Sequence, residues 1–520
     1  MNLSSPADFA EEIIKKLKPQ WKTVFFAVLI GGLLIHMPAL LSDIPNHDGL
    51  DSMYFDQNMI TSGRWFLIVA CGVSSFFNIP WLIGILGIFY LACTGVILVE
   101  LFGIRDRILA AATGLLLVSF PALASTFAYV FTLDGYMLGM MLSVLSVFLV
   151  KKFRRGYLYG GISLAFSMGI YQAYLPFAVM LSAYMILGLL ARNTGGNENT
   201  GGQNEIWIKE AMHYLYMGVI GSVLYYVILH VLLAAEGKVL DTYQGIDGMG
   251  SMNVRNIPGI IAGMYADFFS FTVKSRILFN NIFSGAALLI LFFICLYSGI
   301  RQILIKKLWK RPVFFIIMVL AVFLLPAMMN LILLVSPGVN YHLLMRFHWV
   351  LLPVMAAAFV DRCGKNRAVW GAVLCAFVLV FSYAVTDNIA YSNLQKKYEK
   401  TYAYCLRLLD RIEQTNGYYP GIPVALMGGV SDEQFPVTDI TGKVTGSMIG
   451  MNGDYLLYTS PNYEKFMKYY LGATLNFVPV EQMGEIYYMD EYVEMESFPG
   501  ETSVRIIDGI LCVKTENRNR

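Results

Sequence analysis

Charge is what this sequence has least of: 14% of its 520 residues are Asp, Glu, Lys or Arg against 57% hydrophobic, and the formal net charge is +2. That balance excludes a nucleic-acid-binding surface, which needs a concentrated basic field, and an ordinary soluble globular domain. The seven cysteines show no metal-ligand spacing. Gly428-Gly429 follows an apolar strand pattern but lacks the further glycines of a phosphate-binding fingerprint, so it reads as a tight turn. No internal repeat of the transporter kind is visible. The first apolar run has no small-residue cleavage site after it, and "FAEEIIKKLKPQWK" ahead of it reads as an amphipathic segment on the cytoplasmic leaflet.

What the chain has in quantity is long apolar runs, and its mean hydropathy is +0.58. A spanning helix takes about 20 mostly apolar residues. About eleven runs fit, near 22–42, 80–102, 108–126, 134–150, 157–172, 174–191, 211–235, 281–300, 313–335, 347–361 and 368–386. Cytoplasmic loops hold the Lys and Arg excess. With the N-terminus inside, the even-numbered spans end at "RDR", "KKFRR", "RNTGGNENTGGQNE", "RQILIKKLWKR" and "DRCGKNR", four of them basic. An odd count then sends the C-terminus outside.

Residues 388–520 lose the long apolar runs and carry 17 Asp and Glu against 12 Lys and Arg. They read as a water-facing α/β domain: a helix from "NLQKKYEK" to Asn416-Gly417, a strand at "IPVALMGG", and a hairpin turning on Asp508-Gly509. Cys405 and Cys512 would be able to pair in an oxidising compartment, but two buried thiols are the expectation.

The chemistry-bearing stretch is "IPNHDGLDSMYFDQNMITSGRW" (44–65), directly after the first run, with Asp48, Asp51 and Asp56 beside His47 and Arg64. Leu50, Met53, Tyr54, Met59 and Ile60 recur at helical spacing, which predicts an interfacial helix with Asp48 near its N-terminal end, as a cap or as a functional carboxylate. The segment 64–78 is apolar but too short to cross, so the first external loop, about 42–79, is expected to hold two helices on the membrane surface.

The His-Asp pair, the Tyr-Phe, and Met-Ile-Thr-Ser-Gly-Arg-Trp after the first span resemble the first external loop of the GT-C polytopic glycosyltransferases, most closely the GtrII-type glucosyltransferases. "SMGIYQAYLPF" (167–177) is similar to that family's Tyr-Gln turn, and "HLLMRF" (342–347) places an Arg at an external span entrance. The likeness is weak over the last 130 or so residues. The resemblance implies an all-α polytopic membrane fold of GT-C type with residues 1–387 as the catalytic membrane domain, ahead of the extracytoplasmic α/β domain (388–520) that composition points to. It implies inverting transfer of glucose or a related hexose from a polyprenyl-phosphate donor to a surface glycan acceptor.

A sugar hydroxyl attacking C1 must lose its proton, and a carboxylate within about 3 Å serves as general base. Asp48 is the candidate and Asp51 the second, since the Asp-Asp or Asp-Glu pair often seen in such loops is split here as Asp48-Gly-Leu-Asp51. The departing lipid phosphate calls for a cation at the boundary, which Arg346 can supply in bidentate fashion, with Arg64 and Arg276 as weaker choices. Asp134, opening the fourth span, either binds acceptor, pairs with Arg346, or caps its helix through Gly135. Tyr171 and Gln172 can hydrogen-bond sugar hydroxyls, and His47 joins the substrate-binding set beside Asp48. Some GT-C enzymes use a divalent cation; His36, His47 and His348 fall near the outer boundary without a ligand set, so no metal ligand is assigned. The competing functions are a lipid-linked-saccharide flippase, a polysaccharide polymerase or ligase, and a non-catalytic scaffold.

Overall fold

The structure, a computed structural model, describes residues 5–51, 54–192, 202–242, 245–246, 254–336, 338–429 and 440–516. Met53 and residues 193–201 of the loop beginning at Arg192 lie outside these. Among the described residues, nine helices are long and apolar enough to cross a membrane, ten if one bent pair counts as a single span. The chain is a mostly helical, multi-pass membrane protein with a small C-terminal sheet.

All eleven expected runs are helical, but two depart from simple spans. The run near 108–126 is broken into Arg107–Ser119 and Pro121–Phe127, bent by 43°. Pro121 supplies no N–H to the turn before it, which is why the axis breaks there. The run near 157–172 becomes Gly156–Ile170, 15 residues or about 22 Å, too short for a hydrocarbon core of about 30 Å.

Local signals set the ends. Proline opens Pro19–Leu41, Pro80–Phe102 and Pro312–Met329, where its missing N–H costs nothing. The side chains of Asp106 and Asn281 accept the first free amides of the helices they precede. Small residues let the spans approach closely: a Cβ on Gly114 would lie 2.8 Å from both Val24 and Val28 on the Pro19–Leu41 helix.

Three expectations need correction. The acidic loop does not form a long interfacial helix: a five-residue turn, His47–Asp51, is followed by irregular chain with bridges Tyr54 to Phe77 and Met59 to Arg64. Gln57 at φ 58° and Gly63 at φ 76° interrupt any helical continuation. The stretch from Glu236 to Arg276, which as an exit between two apolar runs is expected to be an external loop, is not all loop, since Ile257–Lys274 is a helix of 18 residues. The last span and the helix expected after it are not separate elements either; Asn366–Glu413 is one helix of 48 residues, passing through position 387 without a break.

In the C-terminal region a four-stranded sheet forms from β1 (Pro423–Met427), β2 (Asn476–Phe477), β3 (Val504–Ile507) and β4 (Ile510–Lys514), in the order β2-β1-β4-β3. β1 is parallel to β2 and β4, and β3 and β4 form the expected hairpin. Asp508 and Gly509 both take positive φ, as a two-residue turn of that hand requires. Cys405 and Cys512 are separate buried thiols.

A strap, residues 446–454, stitches this region to the membrane helices. Ser125 Oγ donates to the Ile449 carbonyl (2.9 Å) and Ser447 Oγ to the Ser275 carbonyl (3.0 Å). Buried Lys397 donates to the Asn452 carbonyl (2.7 Å), Asn393 donates to those of Met451 and Gly453, and Lys400 pairs with Asp454. The strap carbonyls of Ile449, Met451, Asn452 and Gly453 thus each have a donor, and a buried carbonyl without one would cost about 1–3 kcal/mol.

Candidate active site

Asn46 sets the geometry of the acidic turn. Its Oδ1 accepts from Gly49 N (2.6 Å), capping His47–Asp51, while its Nδ2 donates to the Ala128 carbonyl (2.7 Å). The cap expected of Asp48 is therefore Asn46, and the Asp48 side chain, 52% exposed, faces a cavity of about 500 Å³. Asp51 ends the turn, and its side chain lies outside the described residues.

The cavity is walled by His47, Asp48, Gln57, Arg64, Tyr136 and Tyr171, and closed by His342 and Ile449 among others. Tyr136 and Tyr171 stack in parallel with centroids 4.6 Å apart. The Arg64 guanidinium lies 4.8 Å from the Tyr171 ring centre and donates to Tyr136 Oη (3.2 Å). An aromatic wall beside convergent hydroxyl, amide, guanidinium and carboxylate groups suits a polyhydroxylated ring, with one apolar face and an edge of donors and acceptors. His47 Nε2 is 3.4 Å from Asp48 Oδ1. Burial lowers the His47 pKa below its ordinary 6.5, against the pull of Asp48 and with help from Lys397. The ring is therefore neutral at pH 7 and places no full positive charge on the Asp48 carboxylate.

A second cavity of about 460 Å³ adjoins the first, and His342 and Ile449 line both. Arg346 enters it almost fully buried. Its two Nη atoms bond the two carboxylate oxygens of Asp267 at 2.6 and 2.8 Å, its Nε donates to the Tyr341 carbonyl, and its guanidinium packs on the Tyr341 and Phe271 rings. Lys274 lines the same cavity, as do Ser270, Ser447 and Asn452. Lys274 and Arg346 against Asp267 leave one net positive charge there. Burial and the nearby Arg346 lower the His342 pKa.

The remaining expected residues take other positions. Asp134 does not pair with Arg346, whose two nitrogens are held by Asp267. It is fully buried, takes the Gly135 amide at 2.8 Å, and does not line the cavity. Gln172 is turned away from the cavity: its Nε2 donates to the Ser62 carbonyl (3.2 Å) and to Tyr225 Oη (2.9 Å), which itself donates to Gly63 O. It clamps the turn that aims Arg64, and a Cβ on Gly63 would sit 2.4 Å from Gln172 Nε2. Arg276 does not line either cavity. His36 accepts from Tyr391 Oη and donates to Val118 O, His348 donates to Met329 O, and both rings are fully buried and line neither cavity. Among the described residues, no group of three His, Cys, Asp or Glu could hold a metal ion. His47 with Asp48 does not fit one alone.

Sequence reasoning missed Asp267, Lys274, Gln57, Tyr136, His342 and Ile449. Asp267 and Lys274 sat in a segment read as loop, where helical spacing was the overlooked signal. Nothing in the sequence connects Ile449 to residues some 400 positions earlier.

Fold and site together define a multi-pass membrane enzyme with a carboxylate in a cavity suited to a sugar ring. A family model for glucosyl transferase GtrII matches residues 37–352, more than half of the chain, and covers Asp48, Arg64, Tyr171 and Arg346. The chain belongs to the GtrII glucosyltransferase family, and is a glycosyltransferase taking a sugar donor and a glycan acceptor. No curated protein and no solved structure matches it.

Proposed function

We propose that the chain transfers glucose or a related hexose, with inversion, from a polyprenyl-phosphate carrier to a cell-surface glycan outside the cytoplasmic membrane. The observation that carries this reading is the pair of adjoining cavities, one with a carboxylate and stacked tyrosines and the other with net positive charge, sharing His342 and Ile449 as a common wall. The hexose occupies the first and its phosphate the second. The acceptor hydroxyl attacks C1 from the face opposite the phosphate; the C1–O bond to phosphate breaks, and Asp48 takes the hydroxyl proton. The polyprenyl phosphate leaves as an anion toward Lys274 and the Arg346–Asp267 pair. Asp51, three residues along the same turn, is the alternate base.

The basic loops support a cytoplasmic N-terminus, with the Asp48 end of the helices and the region after 388 on the outer side in this reading. A lipid-linked donor suits that placement, because its phosphate stays at headgroup level while its tail lies between helices. The test is a panel of polyprenyl-phosphate hexoses offered to membranes bearing the wild type and Asp48→Asn. Wild type should transfer one of these sugars, and Asp48→Asn should lose about 10²–10⁴-fold while still binding the donor. Undiminished transfer by Asp48→Asn, with Asp51→Asn equally active, removes the proposed base.

A further inference from the structure

At the opposite ends of the same helices lies a cleft that the transfer reaction does not use. The Asp48 cavity sits where Pro19–Leu41 ends and where Leu133–Lys152 and Leu351–Cys363 begin. The cleft lies at the other face, where Gln20 donates to Arg105 O, Arg105 N donates to Asp361, and Lys151 donates to Leu101 O. Its volume is about 230 Å³, between the helices Leu175–Arg192, Ile282–Ile305, Pro312–Met329 and Leu351–Cys363. Tyr184, Leu187, Ile303, Phe314, Met318 and Phe359 make it apolar. Gly188 and Gly299 keep it open: a Cβ on Gly188 would meet only Arg362 Nη1, at 3.9 Å, and one on Gly299 only the Phe359 ring.

Two cations, Lys306 and Arg362, stand at its polar end, and neither is in an ion pair among the described residues. Gln302 and Arg301 are directed to the Cys363 carbonyl. Asp361, whose carboxylate accepts from the Arg105 amide, is the one acid within residues 301–311 and 361–367, against the further cations Arg301, Lys307, Lys310, Arg311, Lys365 and Arg367 of those segments. An apolar slot ending in two cations that no described acid pairs with complements an amphiphile with an acyl chain and an anionic phosphodiester head, and basic pockets between spans bind such heads.

We propose that this cleft is a binding site for an anionic glycerophospholipid, one acyl chain lying against Phe314 and Phe359 and the phosphate on Lys306 and Arg362. The site is independent of the transfer reaction and of which sugar is moved.

The full-length protein is reconstituted in nanodiscs of phosphatidylcholine with one-fifth phosphatidylglycerol, then released into mild detergent, and its retained lipids are read by native mass spectrometry. Wild type should retain phosphatidylglycerol in preference to phosphatidylcholine. Lys306→Gln/Arg362→Gln should lower that preference by about 25-fold, roughly fivefold for each cation. Gly188→Leu, which keeps both cations but fills the slot, should also lose the retained lipid, whereas Lys443→Gln/Lys468→Gln, with the same charge change elsewhere, should not. Three results would overturn the assignment: no headgroup preference in wild type, undiminished retention in both cleft variants, or loss in the charge variant with full retention in Gly188→Leu, which would mean surface adsorption. In nanodiscs supplied with polyprenyl monophosphate as well, preferential capture of that lipid would also overturn it.

Discussion

Removing the Asp267 carboxylate should destabilise the protein and at the same time tighten its hold on phosphate. Arg346 has a side chain 6% exposed and meets Asp267, 29% exposed, through two bonds of 2.6 and 2.8 Å. Removing one partner from a fully buried pair costs about 3–5 kcal/mol, because the other charge is left without compensation. Nearly a third of the Asp267 side chain is reached by solvent, which screens the pair, and the Tyr341 carbonyl and two aromatic rings still hold the guanidinium. The cost of Asp267→Asn is therefore about 2–3 kcal/mol, a few degrees of melting temperature for a chain of this length. Arg346→Gln should cost a comparable amount, and the double variant less than the sum, with a coupling of about 1–2 kcal/mol. The assay is thermal unfolding of the four purified proteins in one detergent, followed by titration with a polyprenyl phosphate. Asp267→Asn converts the cavity from one net positive charge to two, so its affinity for the phosphate should rise several-fold. Additive losses without coupling would refute the ion pair, and weaker phosphate binding by Asp267→Asn would refute the cationic role of the second cavity.

Gln172→Ala should cost about 1–3 kcal/mol by stranding the Ser62 carbonyl and one bond to Tyr225, and should reduce transfer through misplaced Arg64; unfolding and transfer rates measured together check this. Ile449→Trp puts bulk where the two cavities meet, so it should raise the donor KM by about tenfold or more with the melting temperature little changed, and a KM equal to wild type would show that the donor does not cross that wall. His47 and His342 both have folded pKa values below 6.5. Their contribution to stability is complete above pH 6.5 and declines as pH falls toward the folded values, where the unfolded chain binds protons that the folded rings refuse. Unfolding midpoints of His47→Gln/His342→Gln between pH 7.5 and 5 should therefore fall less steeply than those of wild type.

The helical runs were legible because a membrane span is a one-dimensional property, a stretch of apolar residues of sufficient length, and each of the eleven segments is helical. The Asp508-Gly509 hairpin was legible for a similar reason: two residues tolerant of positive φ between strand patterns state the turn locally. Where local rules compete, the outcome was less readable. Both Asn46 and Asp48 can cap a helix, and Asn46 takes that place because its amide also reaches the Ala128 carbonyl 82 positions away. The helical spacing of Leu50, Met59 and Ile60 pointed to a helix that Gln57 and Gly63 interrupt.

By itself, then, the sequence determined a polytopic helical membrane protein, its acidic loop after the first span, and, through motifs in that loop, a GtrII-type glucosyltransferase. Only the tertiary structure decided which charges meet. Arg346 is joined to Asp267 rather than Asp134, Gln172 supports a turn instead of facing the cavity, and Ile449 arrives from the far end of the chain to wall two cavities. The physical reason is that hydropathy and turn preference are paid residue by residue along the chain, whereas a buried ion pair or a shared wall exists only once helices distant in sequence have crossed.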